Sequence, residues 1–393
     1  MTWTSKSKDM GIIDPPTGHG STKAGVAGRA PGISSITFIP SELFGASARC
    51  LYLHLVNPAL VTPESIMISR LIEQHVDDTS KYFAVLSSAD SFKDYAKSYF
   101  SGTVAAGIAY LTMIADGYVW AGHFENEKKA GPGKGNTGST KAPDFVFARS
   151  GHSDVALMES KGTRSETAGA FDTSVEGGYV DQVNPHLGYA IGTSTASHGF
   201  SIGAWMTSTT KAEINVHHTD PVTVAPSVGG GPGTITSVQR NDFATAFSLA
   251  HSPQLAEQVR AGRIDGPYVP FIGFQWQGYR WLAGGGPRWT PRPYEHDTLE
   301  YLYGPYNYFA HFAVERMRAE TVLRFVSDAE MPESALELTP MPRDLRERTR
   351  FEESQSAVFP DGLAVIGPGA DANIEDWTYL RWDTVKAKMF QAG

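Results

Sequence analysis

Residues 142–163, APDFVFARSGHSDVALMESKGT, hold two short apolar runs, FVFA and VALM, joined by the polar stretch Arg149, Ser150, Gly151, His152 and Ser153. Apolar runs of this length around a Gly-containing polar turn predict a β-hairpin. Strand side chains alternate between faces, so Asp144 shares a face with Val146, and Glu159 and Lys161 share one with Val155 and Leu157. Two carboxylates and one ammonium can therefore meet at one sheet edge. Neighbouring carboxylates repel and raise one pKa, unless a hard cation that prefers oxygen ligands neutralises them. A lysine beside such a cation can orient a water and stabilise charge on a phosphate.

The hairpin resembles the PD-(D/E)XK, or restriction-endonuclease-like, nuclease superfamily. There a Pro-Asp opens one strand and an acid-x-Lys follows on the next, matched here by Pro143-Asp144 and Glu159-Ser160-Lys161. The resemblance implies an α/β fold with a mixed central sheet flanked by helices. It also implies that Asp144 and Glu159 hold Mg²⁺ or Mn²⁺ and that Lys161 assists the attacking water. Gln182 fits the glutamine that many relatives carry on the helix after the lysine, and Thr163 and Arg164 are placed to meet phosphate. DNA is the expected substrate, in bacterial restriction or phage defence, with repair as the next setting. A second acid-x-Lys, Glu127-Lys128-Lys129, has neither an apolar strand around it nor a Pro-Asp partner upstream.

One departure from the pattern bears on activity. Many relatives place a glutamate on the helix before the first core strand, where this chain has Gly102-Thr103-Val104. Glu125, Glu127 and Glu73 are the available substitutes. The gap keeps a second reading open, a non-catalytic nucleic-acid-binding or assembly subunit that retains the nuclease fold.

Outward from the hairpin, residues 1–33 are rich in Gly, Ser, Thr and Pro and predict an irregular lead-in. Residues 34–90 predict an N-terminal α/β region, with strands at 35–40, 49–55 and 82–86 and an amphipathic helix from Pro63 to His75. The nuclease-like core spans 91–225: a helix from Ser91 halted at Asp116-Gly117, a strand at 118–124, the hairpin, a crossover helix within 173–191 that Gly177, Gly178, Pro185 and Gly188 would kink, and strands at 200–206 and 212–216. A Gly/Lys loop at 131–141 lacks the GxxxxGK[ST] spacing of an ATP-binding loop, but its lysines suit a nucleic-acid backbone.

A glycine-rich stretch at 227–233 opens a C-terminal accessory region, 226–393, that is mixed, helical and aromatic-rich. It predicts helices at 241–250, 253–261, 313–325 and 343–353 and a strand at 363–366. Trp276, Tyr279, Trp281, Trp289, Tyr301, Tyr303, Tyr306 and Tyr308, with Arg280, Arg288 and Arg292, can stack bases, bind a partner or pack a core. His217, His218 and Asp220 are the competing metal ligands, and on a strand only His218 and Asp220 would lie together.

Composition sets the remaining bounds. A net charge of −9 is unusual for a protein that grips nucleic acid unaided and points to a partner subunit. Cys50 is the only cysteine, which excludes an internal disulfide and suits a reducing cytoplasm. The amino terminus lacks the apolar core of a secretory signal, and the apolar stretch 102–115 is too short to span a bilayer, so no membrane partner is expected.

Overall fold

The computed structural model of the protein describes residues 3, 6–13, 18–51, 61–127, 129–130, 141–192, 194–221, 237–250, 252–263, 268–284, 311–327, 338–352, 356–367, 370 and 373–381. In chain order the first half comprises β1 (Lys8–Ile12), β2 (Ser35–Phe38), α1 (Pro40–Leu51), α2 (Val61–His75), α3 (Asp94–Ala115), β3 (Trp120–His123), β4 (Lys129–Ala130), β5 (Phe145–Ala148), β6 (Asp154–Thr163), α4 (Ala168–Gly178), β7 (Ala190–Ile191), β8 (Ser194–Trp205) and β9 (Glu213–His218). The second comprises α5 (Ser237–Leu249), α6 (Pro253–Ala261), β10 (Tyr268–Trp276), β11 (Tyr279–Gly284), β12 (His311–Glu315), α7 (Arg316–Ser327), α8 (Arg343–Glu352), β13 (Ala357–Val358), β14 (Leu363–Ile366) and β15 (Asn373–Arg381).

The protein is α/β, built on a mixed, nine-stranded sheet of order β2-β1-β9-β8-β6-β5-β3, with β4 and β7 attached beside β8. The hairpin at its centre is as expected: β5 and β6 pair antiparallel, Ala148 with Val155 through Phe145 with Met158. β6 and β8 pair in parallel along their whole length, so the chain between them must cross over, and α4 makes that crossing. Thr167 caps α4 by accepting the Ala170 N–H.

Helices cover both faces of β6 because small residues let them descend. Toward α3, a Cβ on Gly162 would stand 2.4 Å from both the Ala105 Cβ and the Ser101 carbonyl. Toward α4, a Cβ on Gly178 would stand 2.7 Å from Ser201 Oγ and 3.0 Å from Lys161 Cε. α3 is long and apolar enough to cross a membrane by length and composition, but 61% of its most apolar window is buried, and it packs between α1 and the sheet as a core helix. Gly117, at φ +96°, turns the chain out of it.

The second sheet, of order β13-β14-β12-β11-β10-β15, shares one apolar core with the first, in which Phe44 and Phe247 meet Phe312 and Phe271. Between the sheets, Arg49 of α1 pairs with Asp242 of α5 at 2.5 Å and with Asp361 ahead of β14, all three buried.

Several expectations need correction. Residues 49–51 end α1 rather than begin a strand: Pro40 starts a helix whose small residues Gly45, Ala46, Ser47 and Ala48 continue through Arg49, and 52–55 lie outside the described residues. The run at 82–86 forms single bridges, Tyr82 with Asp9 and Val85 with Val76, and no ladder, with Phe83, Ala84 and Val85 buried. Within the expected lead-in, 8–12 forms β1, paired with β2 and β9, because Lys8 and Met10 point inward. Residues 313–315 belong to β12, and the helix starts at Arg316. Gly177 and Gly178 do not break the crossover. α4 begins earlier, at Ala168, and passes into a π-helical turn, Tyr179–Val183, and then a 3₁₀ turn, Asn184–His186, that takes Pro185 near its start.

Candidate active site

β6 outruns its hairpin partner. Pairing with β5 ends at Phe145 opposite Met158, so Asp144 stands across from Glu159 where one edge of β6 becomes free. The Ser160 N–H, left without a strand partner there, donates to Asp144 Oδ2 at 2.9 Å, and Ser160 Oγ donates to the same oxygen at 2.7 Å. Asp144 therefore ends the hairpin by taking the place of backbone.

Glu159 and Lys161 point to the α4 face, side by side. Lys161 Nζ lies 2.5 Å from Glu159 Oε1, and Gln182, on the π-helical turn, donates to the same oxygen at 2.7 Å. Gln182 and Lys161 thus share one oxygen of Glu159. The other oxygen, Glu159 Oε2, is buried with no hydrogen-bond partner. So is Ser201 Oγ, on the residue of β8 in register with Glu159, and both side chains sit beneath Gly178. A buried acceptor without a partner is costly, which favours the protonated form. Burial first, and then the charge of Asp144, push the Glu159 carboxyl up to about 7, against the pull of Lys161 and Gln182.

Asp144 and Ser160 also line a cleft of about 380 Å³ between α1, α3 and the ends of β3 and β5. Its polar walls include Thr103, His123 and Glu125, while Glu159 and Lys161 lie behind it, beneath α4. The substitutes for the absent helix glutamate separate here. Glu125 lines the cleft; Glu127 is drawn into the core, accepting from Asn241 Nδ2 at 2.6 Å; Glu73 pairs with Arg70 on α2. Cys50, also in the wall, stays a thiol because burial raises its pKa far above neutrality. Among the described residues no three His, Cys, Asp or Glu side chains converge as metal ligands. The donor chemistry still fits a hard cation, since Asp144 is near enough for its charge to act on Glu159 and one Glu159 oxygen is unused.

Other sequence candidates resolve differently. Arg164 is buried and donates to the carbonyls of Val85, Met206 and Leu86 and to Asp90, so it braces the fold rather than meeting phosphate. Thr163 Oγ1 accepts the N–H groups of Ser165 and Glu166. Trp276 and Trp281 are core residues, 5.6 Å apart and buried, not a stacking platform. Trp289, Tyr301, Tyr303, Tyr306, Tyr308, Arg288 and Arg292 lie outside the described residues, as do Lys128, the stretch 227–233 and all of the Gly/Lys loop except Lys141. His218 and Asp220 do come together, around Gly18, while His217 pairs with Ser201 and reaches Asp172 of α4. Ser201 carried no sequence signal, because its place beside Glu159 depends on the β6–β8 register. No family model, curated protein or solved structure matches this chain.

Proposed function

We propose that the protein is a metal-dependent nuclease that hydrolyses phosphodiester bonds, with DNA as its substrate. The observation that carries this reading is Glu159: a buried carboxylate with one oxygen held by Lys161 and Gln182, the other unused, its pKa raised by burial and then by Asp144. Further support comes from the element order. Helix α3, strands β3, β5 and β6, helix α4 and strand β8 follow one another as the resemblance to the restriction-endonuclease-like core implies, in a mixed sheet with helices on both faces.

Asp144 and Glu159 would hold Mg²⁺ or Mn²⁺, which supplies the positive charge that lets both carboxylates ionise and polarises a phosphoryl oxygen. Lys161, partly exposed beside Glu159, orients the attacking water and offsets charge on the phosphate. Gln182 keeps Glu159 turned toward that position through its amide. The cleft beside Asp144 admits the phosphate backbone, with Glu125 as the additional acid. The setting we favour is bacterial restriction or phage defence in a reducing cytoplasm. The net charge of −9 argues for a partner subunit that brings DNA to the site.

One observation favours a second reading, a binding or assembly subunit without cleavage: Glu159 is only 3% exposed and lies behind the cleft. Incubating the full chain with plasmid, linear and single-stranded DNA and with RNA, with Mg²⁺ or Mn²⁺, separates the two. The nuclease reading expects cleavage that falls at least about a hundredfold in Lys161→Ala and Glu159→Ala. Cleavage that persists in both variants, or DNA retention with no cleavage under any metal, contradicts it.

A further inference from the structure

The polar line that begins at Glu159 continues across the sheet. Glu159 is in register with Ser201 on β8, and Ser201 with His217 on β9. Beyond β1 the chain returns to β9: His19 N donates to the His218 carbonyl at 2.8 Å, and Asp220 N to the His19 carbonyl at 3.0 Å. This places His19 beside His217 on the α4 face. The His19 ring lies nearly flat on Tyr179 of the π-helical turn, with centroids 4.4 Å apart and planes at 17°.

The nitrogens are arranged in a chain. His217 Nε2 stands 3.4 Å from Asp172 Oδ1, an oxygen that also accepts from Asn215 Nδ2 at 2.9 Å. The other ring nitrogen, His217 Nδ1, stands 3.1 Å from His19 Nε2. Carboxylate, then imidazole, then a ring nitrogen facing a second imidazole is the outer half of a metal-histidine site. Two nitrogens bound to one tetrahedral Zn²⁺ at 2.0–2.1 Å lie about 3.3 Å apart, so a small widening of the His19–His217 gap makes room for the ion. Asp172 and Glu176 lie one turn apart on α4, and Glu176 is exposed and near enough for its charge to act on His19.

We infer that His19 Nε2 and His217 Nδ1 bind a zinc-class transition cation, with Glu176 as the third ligand and Asp172 as the carboxylate that orients His217. Nothing in this inference depends on the nuclease reading, because its ligands are distinct from Asp144 and Glu159 and are softer donors suited to a different class of ion.

Zn²⁺ titration of the chelator-treated full chain against a chromophoric competitor, with Co²⁺ visible spectra as a second readout, tests it. The expected result is one bound Zn²⁺ per chain and a tetrahedral Co²⁺ spectrum. Affinity should fall at least tenfold in His19→Ala and His217→Ala and about 10- to 100-fold in Asp172→Asn. His19→Gln serves as a second variant, since His19 is half-exposed and its amide replacement keeps the fold, checked by circular dichroism. No bound Zn²⁺ in the wild type, or equal affinity in wild type, His19→Ala and His19→Gln, overturns the site.

Discussion

The two faces of β6 solve opposite problems. Toward α3, Ala156 and Met158 are fully buried, and Gly162 presses against Ala105 and Ser101, so that face is apolar and tightly packed until Ser160 opens into the cleft. Toward α4, the same strand buries Glu159 with an unused oxygen, beside Lys161 and the partnerless Ser201 hydroxyl. One face contributes apolar burial and dispersion; the other holds polar groups away from water at a cost of about 1–3 kcal/mol for each unsatisfied group. On β6 itself the unsatisfied carboxylate oxygen lies on the α4 side, under a π-helical turn.

The largest expected effect separates the faces by pH. Glu159 titrates near 7 in the folded protein against 4.5 in an unfolded chain, so between those values the folded state keeps a proton that the unfolded state has released. Its contribution is therefore fully present below about pH 4.5 and is lost as pH rises through 7. The loss is up to about 3 kcal/mol across that window. Denaturant melts of wild type and Glu159→Gln should converge at low pH and diverge above pH 7, with Glu159→Gln the more stable. Parallel pH profiles would mean that Glu159 is not buried as described.

Next in size, Gly162→Ala drives a methyl into the Ser101 backbone carbonyl and should cost about 1–3 kcal/mol by thermal or denaturant melts. Divalent-metal affinity of the folded fraction should hardly change. Gly178→Ala reverses this balance. Its new methyl meets the movable ends of Ser201 and Lys161, so stability should fall by only about 1 kcal/mol. Displacing Lys161 from Glu159 should nevertheless alter Mg²⁺ affinity. Equal effects of the two substitutions on both stability and Mg²⁺ binding would erase the contrast between the faces.

How much of this was legible in sequence follows from the range of the interactions. The hairpin could be read because its apolar runs and its turn are contiguous, and the placement of Glu159 beside Lys161 on one face followed from strand alternation alone. Gln182 could be anticipated by its distance past Lys161, but not the π-helical turn that delivers it, since Gly177 and Gly178 looked like helix breakers. In the fold, Gly178 is what allows α4 to approach Glu159. The stretch ending α1 was misread because Cys50 and Leu51 precede further apolar residues that mimic strand alternation. Arg164 looked like a phosphate ligand from its position after Lys161, whereas its carbonyl partners come from residues 85, 86 and 206. His19, Asp172 and His217 come from three distant segments and are joined only by the β9 register and the descent of α4.

The central claim is that Asp144 and Glu159 form one divalent-cation site. Calorimetric titration of the full chain with Mg²⁺, a hard ion that disfavours the imidazole pair, tests it most directly. The account predicts saturable binding that weakens at least tenfold in both Asp144→Ala and Glu159→Gln and is unchanged in His19→Ala. Equal Mg²⁺ affinity in wild type, Asp144→Ala and Glu159→Gln would contradict it.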